Sequence, residues 1–205
     1  MSASSRLIVV LAAGKGTRMK SALPKVLHKV AGRSMLGHVL DLAAKSAASK
    51  VAVVAGPDMA KVEADAATAF PGAVTFIQRE QRGTADALLA AKPALEAHTG
   101  DVIVLYADTP LIRAETIERI SAKLNDGANV AVLGFRPKDP TGYGRLLTDA
   151  SGALVAIREE KDASDAERNV LLCNSSVMAF RVPNLAAMLS RIGNSNAKGE
   201  YYLTD

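Results

Sequence analysis

Apolar runs of strand length recur along the chain at positions 7–12, 51–55, 74–77, 102–106 and 130–133, each rich in Val or Ile. Runs this short and unbroken read as strands covered on both faces. Between them lie stretches with apolar residues at helical spacing, 35–48, 59–69, 85–95 and 114–124, the last carrying Ile117, Ile120 and Leu124. Strand and helix in alternation predict an α/β fold: a doubly wound, mostly parallel sheet with helices on both faces.

After Pro140 the pattern changes. A Gly-rich turn leads to a hairpin expected at Ser151-Gly152, a charged segment over 158–168 and a further strand over 170–180. We read 137–182 as an elaboration of one domain spanning 1–205, since 205 residues with 49% hydrophobic content suffice for one sizeable core. Pro183 opens a last helix to about residue 192, and a polar loop then leads into Glu200-Tyr201-Tyr202-Leu203-Thr204-Asp205.

Composition narrows the function classes. Aromatic residues make up 4% of the chain and Trp is absent, which argues against a face that stacks nucleic-acid bases. The net charge is +4, yet Lys15, Arg18, Lys20, Lys25 and Lys29 place five positive charges and no acid in 15–29, so the rest of the chain sums to −1 (4 − 5). One basic loop on a near-neutral domain suits a compact anion such as phosphate, or is simply a solvated loop. One cysteine, Cys173, excludes an internal disulfide and fits a reducing compartment, and it is expected to be a buried packing residue. No apolar run is long enough for a membrane span, so a cytoplasmic protein without membrane or nucleic-acid partners is expected.

The basic loop follows the first strand as Leu11-Ala12-Ala13-Gly14-Lys15-Gly16-Thr17-Arg18-Met19. Open α/β sheets bind ligands beyond the carboxyl ends of their strands. Gly14 and Gly16 let backbone N–H groups approach a phosphate, and Arg18 and Lys25 supply charge; alone, a glycine pair at a strand-to-helix turn is more often merely structural. The loop lacks the third glycine of a dinucleotide fingerprint and the Gly-Lys-Ser/Thr of a P-loop. Asp108 follows the fourth strand at the same sheet edge, either as a hard oxygen ligand for Mg2+ or as a cap of the next turn. Gln78, Gln81, Gly83 and Thr84 follow the third strand; a carboxamide suits the edge of a uracil, and Thr84 alternatively caps a helix. His28, His38 and His98 lack metal-ligand spacing and receive no catalytic role.

The complete string through Leu23-Pro24-Lys25-Val26-Leu27 resembles the signature of sugar nucleotidyltransferases. With Gln78-Arg79-Glu80-Gln81-Arg82-Gly83-Thr84, Tyr106-Ala107-Asp108-Thr109-Pro110-Leu111, Thr141-Gly142-Tyr143-Gly144-Arg145, Glu159-Glu160-Lys161-Asp162, Asn174 and Asn196-Ala197-Lys198-Gly199-Glu200-Tyr201-Tyr202-Leu203-Thr204-Asp205, it resembles the uridylyltransferase domain of the bifunctional N-acetylglucosamine-1-phosphate uridylyltransferases/glucosamine-1-phosphate acetyltransferases. The resemblance implies a Rossmann-like fold of the nucleotide-diphospho-sugar transferase type. It implies transfer of UMP from UTP to N-acetylglucosamine-1-phosphate, giving UDP-N-acetylglucosamine and pyrophosphate. In that reading Arg18 and Lys25 are catalytic and Asp108 binds Mg2+. Leu11, Ala12, Ala13, Gly14, Lys25, Gln78, Gly83 and Thr84 hold the nucleotide, while Gly144, Glu159 and Asn174 are sugar-binding positions. Tyr106 is a contact near the substrate, or a core residue on its own chemistry.

Departures from the family pattern are Ala107 and Ser176, at positions where glycine is usual. The family domain also continues to an asparagine that shares the metal and to a left-handed β-helix. The expectations are a chain impaired in turnover or kept as a nucleotide-sugar-binding module, and a monomer where full-length family members are trimers. Another sugar-1-phosphate as acceptor is the alternative within enzymes.

Overall fold

The computed structural model describes residues 5–14, 16 and 19–205. Ten strands and seven α-helices are assigned among them, eight of the strands in one sheet ordered β5-β4-β1-β6-β10-β8-β9 with β7 also paired to β10. β1 (Arg6–Leu11), β4 (Lys50–Ala55), β5 (Val74–Ile77) and β6 (Asp101–Tyr106) are parallel neighbours. The chain winds outward from β1 through β4 to β5, then returns to place β6 on the other side of β1. The switch point of the sheet therefore lies between β1 and β6, where an open α/β sheet opens a crevice.

β10 (Cys173–Phe180) runs antiparallel between β6 and β7 (Val130–Phe135). β8 (Arg145–Thr148) and β9 (Leu154–Arg158) form the hairpin turning at Ser151-Gly152, as its sequence predicts, and β8 joins the other side of β10 at Cys173. A separate two-stranded ribbon, β2 (Lys29–Val30) with β3 (Arg33–Ser34), precedes α1. The sheet is thus parallel in its first half and mixed in its second.

Alternate residues of β1 feed two cores. Ile8 and Val10 pack with α1 (Met35–Lys45), α2 (Ala60–Ala69) and α5 (Ala114–Asn125), while Leu7, Val9 and Leu11 pack with α3 (Thr84–Ala90), α4 (Lys92–Glu96) and α7 (Leu185–Leu189). Helices cover both faces, as the alternation requires. Cys173 is buried, and among the described residues no helix is long and apolar enough to cross a membrane.

Four expectations need correction. β5 and β7 are only half-buried, because each is an edge strand along that part of the sheet. The helix expected over 85–95 divides at Ala91 into α3 and α4, with Pro93 in the first turn of the second, where its missing N–H costs least. Pro183 lies outside α7, whose N-cap is Asn184 at φ 53°. The strand expected from 170 begins only at Cys173, and the charged stretch before it holds the short α6 (Asp165–Arg168), fixed by a Ser164/Glu167 capping box.

Candidate active site

The carboxyl ends of β1, β5 and β6 open onto a cavity of about 550 Å³. Leu11, Ala12, Ala13 and Gly14 line it from the first loop, Gln78, Gly83 and Thr84 from the loop after β5, and Tyr106 and Asp108 from the end of β6. Lys25 reaches it from a one-turn 3-10 helix, Lys25–Leu27, rooted by buried Val26 and Leu27. Gly16 is at φ 61°, and a Cβ there would stand 2.6 Å from Lys25 Cβ, so the first loop presses directly on the root of this lysine. Arg18 lies outside the described residues.

Lys25 Nζ donates to Asp108 Oδ2 at 2.7 Å, with both side chains about a third exposed. The turn after β6 is closed by Thr109, whose N–H and hydroxyl both donate to the Tyr106 carbonyl. Asp108 is therefore not the cap, and its carboxylate faces Lys25. Among the described residues no group of three or more His, Cys, Asp or Glu could hold a metal on its own. A single carboxylate, about a third exposed, at the edge of the cavity fits Mg2+, which keeps water and takes phosphate oxygens as its remaining ligands.

Gln78 is buried, and its amide nitrogen donates to the Gly83 carbonyl at 3.1 Å and to Asp86 Oδ2 at 2.8 Å. Two acceptors fix the orientation of the carboxamide and leave Oε1 as its other polar atom. Gly83 sits at φ 133°, and a Cβ would come within 2.3 Å of the Tyr201 carbonyl oxygen. Glycine is required here by both conformation and contact. Thr84 is the first residue of α3, not its cap; its hydroxyl accepts from Leu203 N–H at 2.8 Å.

Gly144, Glu159 and Asn174 come together on the β8–β10 half: Asn174 N–H donates to the Gly144 carbonyl at 2.8 Å, and a Cβ on Gly144 would meet Glu159 Oε1 at 3.2 Å. They stand outside the cavity lining, and the charge of Glu159 reaches the hydroxyl of Tyr106, which lines it. Burial pushes the Tyr106 hydroxyl up to about 12; hydrogen bonds with Thr84 and Ser176 act the other way, and the charges of Glu159 and Asp108 raise it further. Ser176 has φ 71°, a left-handed conformation that suits glycine, and its N–H is held by Asn174 Oδ1 at 2.8 Å. Ala107 is fully buried at the end of β6.

A family model described as the MobA-like NTP transferase domain matches residues 8–171. The chain belongs to this nucleotidyltransferase family. The transferase domain aligns over all 205 residues with the Bifunctional protein GlmU of Azorhizobium caulinodans at 62% identity, of Xanthobacter autotrophicus at 58% and of a Bradyrhizobium species at 55%. It spans 46% of the length of each of these relatives. Its fold is shared with UDP-glucose pyrophosphorylase complexed with UDP-glucose, at TM-score 0.81 and 14% identity over 98% of this chain and 84% of that one. CMP:2-keto-3-deoxy-manno-octonic acid synthetase complexed with CTP follows at TM-score 0.66 and 23% identity, over 91% and 76%. The family supports nucleotidyl transfer as the reaction class of the domain.

Two further elements of the site in the transferase domain, Glu200 and Arg145, were not assigned roles from sequence, and a third, Gln81, was read there only as a carboxamide for the edge of a uracil. The Gln81 carboxamide donates to the Ala13 carbonyl and so ties the loop after β5 to the first loop. Glu200 lines the cavity. Arg145, almost completely buried, pairs with Glu160 at 2.7 Å and also donates to the carbonyls of Tyr143 and Arg168, fixing the loops around the β8–β9 hairpin. All three act across long stretches of chain or through burial, which local spacing does not encode.

Proposed function

We propose that this domain transfers UMP from UTP to N-acetylglucosamine-1-phosphate, with Mg2+, releasing pyrophosphate. The observation that carries the reading is the convergence of the first loop, the Lys25–Asp108 pair and the Gln78–Thr84 loop on one crevice at the β1/β6 switch point. The likeness to GlmU relatives over all 205 residues of the chain supports it.

Each part of the crevice has a matching part of the substrates. Gln78 can offer an acceptor, Oε1, which suits the N3–H of uracil and opposes the unprotonated N3 of cytosine. The backbone at Gly14 and Gly16 admits the triphosphate, and Lys25 neutralises its charge. Beside the crevice, Glu159 and Asn174 would supply acceptor and donor groups for the hydroxyls and acetamido group of the sugar. An oxygen of the sugar phosphate attacks the α-phosphorus of UTP, and the bond from that phosphorus to the bridging oxygen breaks as pyrophosphate leaves. No side-chain nucleophile is needed, because positioning and charge neutralisation carry such transfers. Asp108 would hold the Mg2+, which supplies charge stabilisation at the phosphates. The single free cysteine fits a cytoplasmic site of action.

Calorimetric titration tests this reading. UDP-N-acetylglucosamine is expected to bind with one site per chain and to bind more tightly than UDP-glucose or CDP-linked sugars. Equal affinity for uridine and cytidine forms would contradict the role given to Gln78.

A further inference from the structure

The contact between Lys25 Nζ and Asp108 Oδ2 places an ammonium on the carboxylate that the nucleotidyltransferase reading gives to the metal. A cation bound at that carboxylate and an ammonium 2.7 Å from its oxygen stand close enough to repel, so each weakens the hold of the other. The root of Lys25 is held by its neighbours: Pro24 precedes it, Val26 and Leu27 are buried after it, and Gly16 lies close against its Cβ. Its four-carbon tail can turn, and the backbone around Gly14 and Gly16, where a polyphosphate would lie, is within the same cavity.

We propose that Lys25 gates Asp108: its ammonium and a divalent cation are alternative partners of one carboxylate, and a nucleotide polyphosphate opens the carboxylate to the cation by drawing Lys25 away. The polyphosphate carries more negative charge than Asp108 and wins the lysine. Metal binding is thereby coupled to nucleotide binding, and the free chain is kept from sequestering divalent cations at a partly exposed acid. This inference rests on the nucleotidyltransferase reading of the site.

Mn2+ binding to the whole chain without nucleotide, followed by the electron paramagnetic resonance signal of the free ion, tests it. Lys25→Gln is expected to tighten Mn2+ binding about fivefold, Lys25→Arg to leave it near wild type, and Asp108→Asn to abolish it in both the wild-type and Lys25→Gln backgrounds. Because Lys25 packs against the first loop, a second measurement uses the wild-type chain alone. Acetylation of Lys25, read by mass spectrometry, is expected to speed up severalfold when Mg2+ is added without nucleotide. Unchanged Mn2+ affinity in Lys25→Gln, an unchanged acetylation rate at saturating Mg2+, or Mn2+ affinity retained in Asp108→Asn would each overturn the proposal. Pyrophosphate release by the wild-type chain is read separately, so failure of the gate and failure of the functional reading remain distinct.

Discussion

Thr204 donates its hydroxyl to Glu159 Oε1 at 3.1 Å, one residue after Leu203 donates its N–H to Thr84 Oγ1 at 2.8 Å. The segment ending at Thr204 thus laces the loop after β5 to the β8–β9 half of the site. Tyr201 adds to the seam: its N–H donates to the Arg82 carbonyl at 2.8 Å and its carbonyl accepts from Ala85 N–H at 2.9 Å.

Removing the Thr204 hydroxyl should therefore affect one end of the site. In Thr204→Val the volume is kept and one hydrogen bond to a charged group is lost, a change of about 1–2 kcal/mol. The expected outcome is a KM for N-acetylglucosamine-1-phosphate raised roughly 5- to 30-fold, with the KM for UTP changed less than about twofold. Steady-state kinetics with each substrate varied in turn check it. Equal changes in both would place the effect in the fold instead of in Glu159.

Arg145 predicts a stability effect confined to the same half. Its guanidinium is buried while Glu160 keeps some contact with water, so Arg145→Met should cost about 2–4 kcal/mol, a little below a fully buried pair. Adding Glu160→Met should recover part of that loss, because the carboxylate no longer lacks a partner. Denaturant unfolding gives the totals. Amide exchange should show β8 and β9 opening before β1, β4 and β6 in the single variant.

Alkaline pH provides an independent check of the burial of Tyr106. Burial pushes both its hydroxyl and that of Tyr202 up to about 12, whereas an unfolded tyrosine titrates near 10. The folded chain therefore holds protons that the unfolded chain releases in this window. The stability contributed is fully present below about pH 10 and is lost as pH rises towards 12. Denaturation midpoints measured between about pH 9 and about pH 11.5 should fall, and Tyr106→Phe should fall less steeply. A variant with an identical slope would remove Tyr106 from the account.

The parallel half of the fold and its loops were legible because their signals are local. Val- and Ile-rich runs mark β1, β4 and β6, and a strand that ends next to a Gly-rich loop or an Asp places Gly14 and Asp108 at one sheet edge. The hairpin at Ser151-Gly152 was equally legible from its turn residues. The antiparallel insertion of β10 between β6 and β7 was not, since nothing within 173–180 states which strands it will join. Nor was the lacing at Tyr201–Thr204, where backbone groups carry most of the contacts and their partners lie far away in the sequence. The break at Ala91 escaped because Ala-rich sequence around it favours helix on both sides.

The central claim is that the Lys25–Asp108 crevice carries uridylyl transfer. The most direct test incubates the purified chain with UTP, N-acetylglucosamine-1-phosphate and Mg2+ and measures pyrophosphate release, with Asp108→Ala alongside. The account predicts release that requires both substrates and Mg2+ and falls at least about 100-fold in Asp108→Ala. No release from the wild-type chain, or release that survives unchanged in Asp108→Ala, would contradict it.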